Sequence, residues 1–138
     1  MSLDATKLKE KIVEALQGGD FPASAPAISQ AIQSYVMANG TPKPPTISYV
    51  LGPCSGTGWT SLVPLASSKG VGDKIISVGI AAEFAASTKV VPGVPPATVP
   101  MVFNTSAKVA DLTEVYDFDE VWQKISEAIV DFFSTEIE

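Results

Sequence analysis

A chain of 138 residues with 46% hydrophobic and 17% charged residues has enough apolar material for one core and too little charge for a disordered polymer. Its net charge of −6 sets nine basic residues, all lysine, against fifteen acids. With no Arg and no His, bidentate contacts to phosphates and base edges are missing, so no nucleic-acid partner is expected. Residues 1–69 hold five Lys against four acids and residues 70–138 hold four Lys against eleven, so the acidity belongs to the second half; the ordinary reading of such a surface is that it keeps the protein in solution. No apolar run approaches the roughly 20 residues of a membrane span, and the charged opening MSLDATKLKEKIVEAL has no apolar signal region. No membrane partner and synthesis in the cytoplasm are the expectations.

Residues 1–40 read as a helical hairpin. Leu3 to Gln17 places Leu8, Ile12, Ala15 and Leu16 on one face, with Asp4 or Ser2 as its cap and Gly18-Gly19 as its end. Asp20 to Ala23 is a short connection with Phe21 at the corner. The second helix starts at Ser24 as cap with Pro26 in its first turn. It carries Ile28, Ile32, Tyr35 and Val36 at helical spacing and stops at Asn39-Gly40 before Pro42.

Residues 41–71 read as a strand followed by a Gly/Ser loop. Thr41 to Pro45 is stiff and polyproline-like, and Thr46 to Leu51 has the β-branched and aromatic content of a strand. Gly52 to Ser61, GPCSGTGWTS, invites a phosphate-loop reading, but Trp59 follows Gly58 where that motif needs Lys. Cys54 is the only cysteine, and without His there is no Cys-His pair, no Ser-His-Asp triad and no imidazole for zinc. Asp117, Asp119 and Glu120 are spaced for a helix start rather than for an acid/base pair. No catalytic, cofactor-binding or metal-ligating residue is expected.

Residues 72–87 read as a third helix, with Ile76, Ile80 and Phe84 in line and a strand as the alternative for Ile75 to Val78. Residues 88–116 form a Pro-rich extended arm. Four Pro between 88 and 103 argue against a central strand, yet Val90, Val91, Val94, Val99, Met101, Val102 and Phe103 are apolar and need cover, from the chain itself or from another protein. Together with Trp59 they are the interface candidates. Asn104-Thr105-Ser106 fits a glycosylation triplet by chance, and Lys108 to Tyr116 holds a weak strand. In residues 117–138, Asp117 with Glu120 makes a capping-box variant. Phe118, Val121, Trp122, Ile125, Ile129, Phe132 and Phe133 then lay an apolar stripe, with fraying expected beyond Phe133 because Glu136 and Glu138 oppose the helix dipole.

The expected fold is therefore a single α+β domain over 1–138, mainly helical, with the N-terminal hairpin and the C-terminal amphipathic helix packed on a small β element. MSLDATKLKEKIVEAL, the FPASAPAI junction, AISQAIQSYV and the following Gly/Pro turn resemble the opening of small virion structural proteins of tailed bacteriophages. GIAAEFAAS and DFDEVWQKISEAIVDFF continue the order of elements. The resemblance implies a non-enzymatic component of tail, baseplate or head surface. It also implies a homo-oligomer in contact with copies of itself and other virion proteins, found in the virion and in the host cytoplasm during assembly. The competing readings are a monomeric ligand-binding or host-directed regulatory domain and, behind it, a carboxylate-dependent enzyme.

Overall fold

The computed structural model describes residues 3–16, 21–60, 74–109 and 118–138. Helix α1 (Ala5–Ala15) starts at Asp4, whose carboxylate accepts the backbone N–H groups of Thr6 at 2.8 Å and Lys7 at 3.2 Å, so two N–H groups that no helical carbonyl can reach are satisfied. Helix α2 (Phe21–Asn39) runs antiparallel to it. The Tyr35 hydroxyl, near the end of α2, accepts from the Asp4 backbone N–H at 2.9 Å and donates to its carbonyl at 3.2 Å.

The start of α2 departs from the expected one. Ser24 is buried inside the helix rather than capping it, and Pro26 lies a turn and a half in. The interruption is filled from outside: Gly56, at φ +89°, lies so close that a Cβ there would be 2.7 Å from the Pro26 nitrogen. Only glycine combines that φ with that approach.

A strand β1 (Ser48–Val50) follows, then a single-turn helix α3 (Thr57–Thr60) inside the Gly-rich loop. Helix α4 is π-helical over Ile75–Ile80 and α-helical over Ala81–Glu83; the wider turn brings Ile75, Ile76, Gly79 and Ile80 all to the buried side. Strands β2 (Thr88–Val91) and β3 (Ala97–Pro100) make a hairpin, and β1 pairs antiparallel with β2, giving the order β1-β2-β3. Central position for Thr88–Val91 corrects the expectation of an edge or arm. The prolines of this region all follow Val91, so β2 keeps every N–H. Pro100 sits on the edge strand, where Met101 donates its N–H to Ser87 at 3.0 Å and the neighbouring proline nitrogen turns to the open side. The weak strand expected over 108–116 lies almost wholly outside the described residues, and the Asn104-Thr105-Ser106 triplet is a turn in which Asn104 Oδ1 accepts the Ser106 N–H at 3.2 Å.

Helix α5 (Phe118–Phe133) has Asp119 and Glu120 in its first turn, where the helix dipole favours them; Asp117 lies outside the described residues. The chain does not fray after Phe133. Glu138 and Thr41 exchange backbone hydrogen bonds at 2.9 and 2.7 Å, Ile137 is fully buried, and Lys89 binds Glu136 at 2.9 and 3.0 Å. Favourable long-range pairing outweighs the local dipole penalty. The fold is α+β, with five helices among the described residues packed on a small antiparallel sheet, as the periodicities imply. Leu8 and Ile12 of α1, Ile28, Ile32 and Val36 of α2 and Ile125 and Ile129 of α5 share one apolar core with Ile76 and Ile80. Phe84, Phe103, Phe132 and Phe133 pack edge-on or tilted against one another at centroid distances of 4.8 to 6.4 Å.

Candidate interaction surface

The register of the sheet decides which side chains face out. Ser48, Val90 and Thr98 form one row, and Val50, Thr88 and Pro100 form the next, on the same side. Tyr49, Lys89 and Val99 alternate to the other side and are half-buried against the body. The outward rows carry no charge and hold exposed valines: Val50 is 66% and Val90 38% accessible, and Val102, continuing the alternation past β3, is 71%. Val91 is exposed where the hairpin leaves the body, and Val94 at its tip is fully exposed.

The sequence candidates thus divide. Val90, Val91, Val94 and Val102 are at the surface, whereas Val99 and Phe103 are half-buried and Met101 is buried. Trp59 is 1% exposed and corrects the expectation of a surface loop: its ring lies tilted against Trp122 at a centroid distance of 6.0 Å and donates its indole N–H to Ser29 Oγ at 2.9 Å. Val50, which sequence reading placed in a strand but not at the surface to be covered, joins the exposed set; strict alternation with Ile47 and Tyr49 could have identified it.

The loop that leaves β1 is anchored by a buried carboxylate. Glu83, 1% exposed, accepts the backbone N–H groups of Gly56 at 2.6 Å and Gly58 at 2.8 Å and the hydroxyl of Ser29. Charge-assisted bonds of this kind offset the cost of removing a carboxylate from water. The Glu83 carbonyl also takes the Cys54 N–H at 3.0 Å, and Ala86 donates to the Gly52 carbonyl at 3.1 Å. The loop leaving β1 is thereby tied to the end of α4, immediately before β2. Gly58 is required for this closeness, since a Cβ there would be 2.1 Å from the Gly79 carbonyl oxygen. Burial, with a smaller repulsion from Glu83, pushes the Cys54 thiol from 9.0 up to about 11, so it is a poor nucleophile at neutral pH.

No protein-family model, curated protein or solved structure matches this chain.

An open groove of about 620 Å³ between α1 and α2 is lined by Lys11, Glu14, Ser34, Tyr35 and Asn39 among alanines, with Lys11 and Glu14 exposed to solvent. A depression of about 290 Å³ beside β3 is lined by Phe84, Met101, Phe103 and Phe132. Among the described residues no cluster of His, Cys, Asp or Glu has metal-holding geometry, and no helix is long and apolar enough to cross a membrane.

Proposed function

We propose that this chain is a non-enzymatic assembly protein, a small structural component of a tailed-phage virion at the tail or baseplate, or otherwise on the head surface. The uncharged valine face of the sheet with its projecting Val94 hairpin supports this reading. Leaving such a surface in water forfeits about 25 cal/mol per Å² that contact with another protein would recover. The buried carboxylate of Glu83 spends its acceptors on the protein's own backbone and on Ser29, and so serves to hold the loop beside that face in shape. The partners in this reading are copies of the chain and other virion proteins, met first in the host cytoplasm and then in the particle.

Peptide mapping of purified particles tests it. The chain is expected in particles at a fixed copy number, and particles made without it are expected to stop short of completion. Complete, infectious particles that lack the chain would overturn the proposal.

A further inference from the structure

We propose that the cleft between residues 40–43 and Lys89 is a peptide-binding site that the chain fills with its own residues 136–138, and that the same segment of a second copy fills it when subunits are brought together. The inference rests on the assembly reading and adds the segment and the surface through which copies are joined.

The seated segment displays what the cleft recognises. Its backbone is paired as in an antiparallel sheet: Thr41 donates its N–H to the Glu138 carbonyl at 2.7 Å, Glu138 returns one to the Thr41 carbonyl at 2.9 Å, and Lys43 donates to the Glu136 carbonyl at 2.9 Å. Any extended chain can satisfy such bonds, so the side chains choose the occupant. Ile137 is fully buried, and Gly40 makes the room for it, since a Cβ there would collide with Ile137 Cγ2. The carboxylate of Glu136 meets Lys89, the only charged residue in the three strands, at 2.9 and 3.0 Å. The cleft therefore fits an extended segment with an acid followed by isoleucine, and Glu-Ile occurs once in the chain, at 136–137.

A second copy is selected over other partners because every one of these contacts already exists within the closed subunit. Exchange of the segment between copies reforms them unchanged, with no new surface to be matched.

Ser134 and Thr135 are the hinge. In the closed subunit they turn the chain back so that Glu136 and Ile137 donate to the Phe133 carbonyl at 3.0 and 2.8 Å, and the Thr135 hydroxyl donates to the Val102 carbonyl at 2.8 Å. Straightening the hinge gives up these bonds and lets the five residues after Phe133 reach about 17 Å from the end of α5. That loss keeps a dilute subunit closed. Exchange prevails where an assembly holds neighbours at high local concentration.

Disulfide cross-linking between full chains reads the exchange. Two variants, both with Cys54→Ala, carry Thr41→Cys in one and Glu138→Cys in the other, and are mixed at about 1 mM and oxidised. Cross-linking between chains is expected to be about tenfold faster or more than with Ser55→Cys, an exposed site, in place of Thr41→Cys. Deleting Ser134 and Thr135 leaves the segment too short to turn back, and that variant is expected to sediment as a dimer at about 100 µM, where the wild-type chain is a monomer. Equal cross-linking at positions 41 and 55 overturns the inference, as does a deletion variant with native circular dichroism that stays monomeric; the cross-link decides alone where the deletion variant is unfolded. In each case the presence of the chain in particles decides the assembly reading separately.

Discussion

Glu83 and Ser29 meet inside the protein across 54 positions of sequence, the serine hydroxyl donating to Oε1 of the carboxylate. The same serine oxygen accepts from Trp59, and the same carboxylate accepts two loop N–H groups. Replacing Glu83 by alanine leaves three buried donors without this acceptor. Each orphaned donor costs about 1–3 kcal/mol, so Glu83→Ala is expected to lower unfolding free energy by about 3 kcal/mol or more in urea titration. Glu83→Gln, which keeps one acceptor oxygen, should fall between. A loss below about 1 kcal/mol for Glu83→Ala would mean that water replaces the carboxylate.

Two glycines in the same loop give opposite outcomes. Gly58→Ala forces a methyl group to within 2.1 Å of the Gly79 carbonyl oxygen, backbone that cannot swing aside. A cost of about 2 kcal/mol or more is expected, with a loss of near-ultraviolet dichroism from Trp59. At Gly52 nothing lies within 4 Å of an added Cβ, and Gly52→Ala is expected to change the thermal midpoint little.

The pair Lys89–Glu136 fastens the segment after α5 to the sheet, with side chains 21% and 11% accessible. Lys89→Met strands a mostly buried carboxylate, and a loss of about 1–3 kcal/mol is expected, discounted from a fully buried pair because water still reaches the edge. Amide exchange supplies the local readout: the Ile137 and Glu138 N–H groups, which bond to Phe133 and Thr41, should exchange faster, while Ile12 in α1 keeps its protection.

Alkaline pH reads out Cys54. Its thiol is raised from 9.0 to about 11 in the fold, so between these values the unfolded chain releases the proton and the folded chain retains it. Stability is full below about pH 9 and declines as pH rises towards about 11. Burial raises the Tyr49 phenol as well, adding a loss of the same sign above its ordinary range. Urea midpoints at successive pH values should decline across this window, and Cys54→Ala should reduce the decline. The native thiol should also resist alkylation at neutral pH and react on unfolding.

The elements that were legible in the sequence are those whose apolar period repeats several times. Leu8 and Ile12, Ile28, Ile32 and Val36, and Ile125, Ile129 and Phe133 each mark a helix face by spacing alone, and the core is built from them. The π turn was not legible, because Ile75, Ile76, Gly79 and Ile80 fit a helix or a strand pattern until tertiary contacts choose. Trp59 in a Gly/Ser loop reads as exposed; it is buried because a carboxylate 24 residues later in the chain folds that loop inward. A trace of this was present in GIAAEFAAS, where Glu83 is a single charge within an apolar run and needs donors from elsewhere. The four prolines mask β2 because they are dense across the arm as a whole, although none falls within Thr88–Val91. The Thr41–Glu138 pairing joins residues 97 positions apart and has no local signature.

The strand pairing also orders events during synthesis. β2 and β3 are separated only by residues 92–96 and can pair as soon as they leave the ribosome, whereas β1 reaches β2 only after residues 51–87 have closed a longer loop. Strand β1 is made first and stays unpaired until residues 51–87 have been added and closed, whereas the hairpin with its uncovered valines closes locally once β3 emerges. A chaperone that grips nascent apolar strands meets, in that interval, the residues that a neighbouring subunit meets later.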